Sequence, residues 1–89
     1  MIKTHTTINN KLGLHARASA KLTKLAGSFP CDVFMSRGDR RINAKSIMGV
    51  MMLAAGKGST IVVETEGSDE QQALEAILKL VADKFGEGE

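Results

Sequence analysis

In the stretch "GLHARASA", residues 13 to 20, His15 and Arg17 stand between a glycine and a run with helical spacing. A histidine at a helix entrance lies where backbone N–H groups point outward without intrahelical partners, which makes the position an anion site. The positive end of the helix dipole there favours the neutral imidazole, whose nitrogen lone pair can attack phosphorus. The phosphate so formed would meet the free N–H groups and the Arg17 guanidinium as charge-assisted partners. Read from these residues alone, His15 is either such a nucleophile or a plain helix cap.

A second constellation starts at Ser46, which immediately precedes the uncharged run "IMGVMML". Serine in that place is a good N-cap, so a short helix is expected from Ile47. One side of a short helix cannot hide the whole run, and Ile47, Met48, Met51 and Met52 are expected to form an exposed, adaptable contact patch. Other motifs fail on inspection. "GKGS" at 56 to 59 lacks the phosphate-loop pattern, because Met51 stands where glycine is needed and Gly58 where Ser or Thr is needed. "RGD" at 37 to 39 is hairpin-turn chemistry. Two histidines and one cysteine make no metal-ligand set, so no metal and no cofactor are expected.

Eighty-nine residues make one small domain, 1–89, burying roughly 60–65% of the surface its unfolded chain exposes. Any chemistry is therefore near the surface. The hydrophobic share of 43% and charged share of 25% are those of a soluble globular protein. No apolar run approaches the roughly 18 residues of a membrane span, so no membrane insertion is expected. No stretch at the start resembles a secretion signal and Cys31 has no partner cysteine, so the expected location is cytoplasmic. Twelve basic against ten acidic residues do not indicate nucleic acid, and three Phe with no Tyr or Trp cannot supply the stacking face of an RNA-binding βαββαβ module. The basic residues gather in the first two thirds of the chain, which favours that half as a docking face for an acidic partner.

The elements that must position these residues follow from periodicity. Ile2, Thr4, Thr6 and Ile8 alternate with Lys3, His5 and Thr7, a half-buried strand with His5 outward. Ala18, Leu22, Leu25 and Ala26 give a helix from Ala16 that stops at Gly27. "CDVFMS" and "RRINAK" form a hairpin, and "STIVVETEG" is a strand. "SDEQQALEAILKLVADKF" is a helix with Ser68 and Gln71 as a capping box and Leu74, Ile77, Leu78, Val81 and Phe85 as its core stripe. The order β-α-β-β-α-β-α implies an α+β open two-layer sandwich, a mostly antiparallel four-stranded sheet with all helices on one face.

"NNKLGLHARASA" resembles the active-site segment of HPr, the histidine-containing phosphocarrier family of the bacterial phosphoenolpyruvate-dependent phosphotransferase system. "INAKSIMGVMML" is similar to the same family's regulatory-serine segment, and the resemblance covers essentially the whole chain. It implies strand order 1-4-2-3 and no enzymatic turnover. It also implies phosphorylation of His15 on Nδ1, with Arg17 beside it. Ser46 would be the target of an HPr kinase/phosphorylase, and Ile47, Met48, Met51 and Met52 the docking patch. The implied partners are enzyme I, which donates the phosphoryl group, and enzyme IIA domains, which accept it; the protein is expected to be a monomer. One departure is Ala18, where the family usually has proline; alanine helps the helix form and adds an N–H, so a tuned site is expected. Two alternatives remain at this point: a small acylphosphatase-like hydrolase, which leaves His15 and the methionines unexplained, and a nitrogen-branch regulatory phosphocarrier.

Overall fold

The structure is a computed structural model and describes residues 1–88. Strands β1 (Ile2–Thr7), β2 (Asp32–Arg37), β3 (Arg40–Asn43) and β4 (Thr60–Glu66) form one sheet in the order β1-β4-β2-β3. Every neighbouring pair is antiparallel. Helices α1 (Ala16–Gly27), α2 (Ile47–Met52) and α3 (Glu70–Ala82) complete the expected order, followed by a short turn of 3-10 helix at Lys84–Gly86.

The alternation read in the first strand is what pins the sheet. Thr4 pairs with Val63 and Met35 with Val63 from the other side, so β1, β4 and β2 turn one common face inward. Onto that face pack Leu22 and Ala26 of α1 and Leu74, Ile77 and Val81 of α3, all buried. A one-residue slip of β1 or β4 would turn Lys3, His5 or Glu64 inward in place of Thr4, Thr6, Ile61 and Val63, and burial of the apolar set forbids it. β2 and β3 join through Gly38 and Asp39, with Gly38 at φ +59, the glycine-first geometry of a two-residue hairpin. Arginines from this hairpin reach the end of α2: Arg37 Nη1 donates to the carbonyls of Leu53 and Ala54, both at 3.1 Å, and Arg40 Nη1 to that of Met52.

Two expectations for the last helix need correction. Ser68 and Gln71 form no capping box. The N-cap is Asp69, in the left-handed region at φ 64, and α3 starts at Glu70, whose Oε1 accepts from the Gly67 N–H at 3.3 Å. Gly67 at φ 121 allows the tight turn that makes this fold-back possible. The helix also stops at Ala82 and does not run to Phe85. Phe85 is nonetheless fully buried, delivered to the core by a left-handed turn, while Leu78 is only partly buried.

The outer face of the sheet is not uniformly wet. Arg41 lies 3.9 Å over the Phe34 ring and bonds Glu64 through both Nε and Nη2, at 3.4 and 3.0 Å. This hydrogen-bonded pairing holds the Glu64 carboxyl below the usual carboxylate range although burial works against it. A depressed folded-state pKa stabilises the fold above the unfolded value of about 4.3, and that contribution is lost as pH falls through the folded value. Chemical denaturation as a function of pH is therefore expected to show Glu64→Gln less stable than the parent at pH 7, the two curves converging in acid. Parallel curves would contradict the pairing.

The loop before α1 carries the closest approach. Gly13, at φ +65, lies against the segment after α2; a Cβ there would sit 2.5 Å from the Ala55 carbonyl oxygen and 2.7 Å from Gly56 Cα. Gly13→Ala combines left-handed strain with a backbone clash and is expected to cost ~2–4 kcal/mol in urea unfolding. A loss below ~1 kcal/mol would show that the two segments separate easily.

Candidate functional site

The placement of His15 is built from the backbone on either side of it. Ile8 N–H donates to Ser59 O at 2.9 Å and Gly58 N–H to Ile8 O at 2.7 Å, so the β1–α1 loop is held to the segment leading into β4. Leu14 is buried, and its N–H donates to Ala55 O at 2.9 Å. His15 N–H turns back to Gly13 O at 2.9 Å, and Ser19 anchors the first turn from inside, its N–H on His15 O and its Oγ on Leu14 O. His15 is the N-cap of α1, with extended backbone at φ −73 and ψ 177, and its side chain makes no capping bond. The ring is thus free for other work, and the N–H groups of Ala16, Arg17 and Ala18 have no intrahelical acceptor. Ala18 is fully buried and helical, so the helix starts here without proline.

The imidazole is 27% exposed at the edge of a surface hollow of about 620 Å³. Among the described residues, Lys11, Arg17 and Lys21 bring positive charge to this hollow, Glu87 a carboxylate, and exposed Leu12 an apolar rim. Arg17 is therefore where the sequence places it, on the exposed first turn beside His15. Glu87 is a residue that sequence reading missed. Its Oε2 is hydrogen-bonded to His15 Nε2, and its Oε1 accepts from Asn10 Nδ2 at 3.0 Å. The Asn10 amide, and after it His15, hold the Glu87 carboxyl below its ordinary range against the opposing effect of desolvation. The dipole alone, which favours a bare neutral ring, is an incomplete account: a carboxylate at Nε2 favours a hydrogen on that nitrogen and leaves Nδ1 as the lone-pair atom.

The second constellation is also formed as expected. Ser46 Oγ accepts from the Gly49 N–H at 3.2 Å, the N-cap of α2. Val50 and Leu53 are buried, whereas Ile47, Met48, Met51 and Met52 are 41%, 68%, 40% and 56% exposed. Because α2 packs against α1, this apolar patch flanks the helix that begins at His15. The two sites remain separate constellations, with no hydrogen bond or ion pair between their side chains in the contacts found among the described residues. Among the described residues no group of three or more His, Cys, Asp or Glu is placed to hold a metal ion, and no helix is long and apolar enough to cross a membrane.

Comparison with known proteins agrees with this geometry. The family model described as "PTS HPr component phosphorylation site" matches residues 2–83. The phosphocarrier protein HPr of Cupriavidus necator is 66% identical over 89 residues, covering 100% of both chains. That of Neisseria meningitidis serogroup A is 53% identical, again over 100% of both. Among solved structures, HPr-C-His from Thermoanaerobacter tengcongensis superposes with a TM-score of 0.94 at 38% identity, covering 98% of each chain. None of these matches supports the acylphosphatase-like or nitrogen-branch alternatives. Likeness of this extent in sequence, in fold and in the segment around the histidine has one consequence: the chain belongs to the HPr family of phosphotransferase-system phosphocarriers, proteins that carry a phosphoryl group and are not enzymes.

Proposed function

We propose that His15 is the phosphoryl-carrying residue, that phospho-enzyme I is its donor and that a histidine of an enzyme IIA domain is its acceptor. The observation that carries this reading is the His15 ring at the start of α1, released from any capping role and set among Lys11, Arg17 and Lys21. In the transfer, the Nδ1 lone pair forms a bond to phosphorus while the bond from phosphorus to the donor nitrogen breaks and its electron pair leaves with the donor. The N–H groups of the first turn and the Arg17 guanidinium receive the phosphoryl oxygens. Enzyme IIA reverses the sequence of bonds. The work is cytoplasmic, done by a single domain acting as a monomer. The names of the relatives support the assignment, since they are themselves phosphocarrier proteins.

The patch of Ile47, Met48, Met51 and Met52 is the surface on which these partners dock, and Ser46 at its edge is the regulatory site, modified by an HPr kinase/phosphorylase. Its hydroxyl caps a helix, and a phosphate there would satisfy the same N–H groups while adding about −1.5 to −2 charge beside an apolar surface. Regulation therefore acts on docking and spares the fold.

Incubation with phosphoenolpyruvate and enzyme I, followed by intact mass, is expected to show one acid-labile phosphoryl group on the parent chain and none on His15→Ala, the variant remaining folded. Acid-labile phosphate retained by His15→Ala would refute the assignment. Ser46→Asp is expected to raise KM for transfer from enzyme I about tenfold, ~1.4 kcal/mol in docking, at an unaltered melting temperature. An unchanged KM would leave Ser46 a helix cap only.

A further inference from the structure

After α3 the chain makes a turn in which Lys84, Phe85 and Gly86 all take left-handed backbone, at φ 55, 56 and 75. For Lys84 and Phe85 this conformation is strained, and such strain persists only where the surroundings over-determine it. Here they do. Phe85 is fully buried, Lys21 Nζ donates to its carbonyl at 2.7 Å, and Gly86 N–H and Glu87 N–H bond back to Asp83 O and Lys84 O. The product of the turn is one side chain delivered to one place. Glu87 is aimed at His15 Nε2, and Asn10 holds its other oxygen while also bonding Gly13 O at 2.8 Å. The orientation of that amide follows from its two acceptors, and among the described residues Asn10 Oδ1 is buried without a partner. Glu87 lies beyond the residues 2–83 that the family model matches.

We propose that Glu87 is a positioning residue for phosphoryl transfer, holding the hydrogen of His15 on Nε2 so that Nδ1 attacks as a neutral nitrogen and later departs as one. The inference rests on His15 being the carrier. As Nδ1 bonds to phosphorus the ring gains positive charge, and the carboxylate at Nε2–H stabilises it, as the acid of a Ser-His-Asp triad stabilises its imidazolium. When the acceptor takes the phosphoryl group, the N–P electron pair returns to Nδ1. The hydrogen is still on Nε2, so the leaving group is a neutral imidazole and not an imidazolate. The same arrangement keeps the negative charge on the side of the ring away from the incoming phosphoryl oxygens. Among the described residues, the charged groups that line the hollow with this ring are Glu87 from the turn after α3, Lys11 from the β1–α1 loop, and Arg17 and Lys21 from α1.

The test uses the full chain with enzyme I and phosphoenolpyruvate, comparing the parent with Glu87→Ala and Glu87→Gln. Long-range nitrogen NMR of the His15 ring and the pH dependence of the rate are read beside the melting temperature. Glu87→Ala is expected to slow acceptance about tenfold, to move the Nε2 resonance, and to shift the acidic limb of the pH–rate profile to lower pH, because the charged ring loses its partner. Glu87→Gln keeps an acceptor for Nε2–H without the charge; it should share the shifted limb and recover part of the rate. Three results overturn the proposal: unaltered rate and ring resonances, a slower rate with unmoved resonances and pH profile, or faster transfer, which would make Glu87 a blocking group. If the parent chain itself takes no phosphate on His15, it is the carrier assignment that fails.

Discussion

The contact of Gly13 with Ala55 and Gly56 is the constraint from which the site follows. Only a residue without a Cβ can take φ +65 at that distance, and the contact fixes where the chain leaves the β1–α1 loop. Leu14 then falls into the core, His15 becomes the N-cap, and the first turn of α1 is left with N–H groups that have no intrahelical acceptor. A fold of this size has little interior to spare for a cavity, so a helix end on the surface, with preorganised backbone, is the place it offers for chemistry.

Charge around that helix end is arranged asymmetrically. Lys11, Arg17 and Lys21 bring positive charge to the hollow, while the carboxylate of Glu87 is held at Nε2 of the His15 ring. A carrier must both accept and release its cargo, and an excess of positive charge alone would favour acceptance and hinder release. Bringing both signs to the rim of one hollow around the imidazole would serve both steps. The methionine patch is built on a contrasting principle, with flexible, uncharged side chains on a short helix whose only polar feature is the Ser46 cap.

Much of this was legible in the sequence because it depends on neighbours. The two-residue alternation of Ile2 to Ile8 predicts both the first strand and its inner face, and Ser46 before an apolar run predicts the cap it makes. His15 between a glycine and a helical pattern predicts an N-cap. The failures share a cause of the opposite kind. Phe85 continues the spacing of Ile77 and Val81, so periodicity alone reads it as another turn of helix; a left-handed turn buries the same residue by a different path. Ser68 and Gln71 match a capping pattern, yet the backbone freedom of Gly67 lets Glu70 satisfy the helix start first. Glu87 is 72 positions from His15, and nothing local to a Gly-Glu-Gly tail states which side chain it will meet. The family resemblance supplied strand order, which no local pattern contains.

The proposed carrier state holds phosphate on Nδ1 of His15 while Nε2 keeps its hydrogen. Long-range nitrogen and phosphorus NMR on the chain phosphorylated by enzyme I reads this directly. Phosphorus is expected to couple to Nδ1 of His15, with Nε2 protonated; coupling to Nε2, or to any other residue, would overturn the assignment.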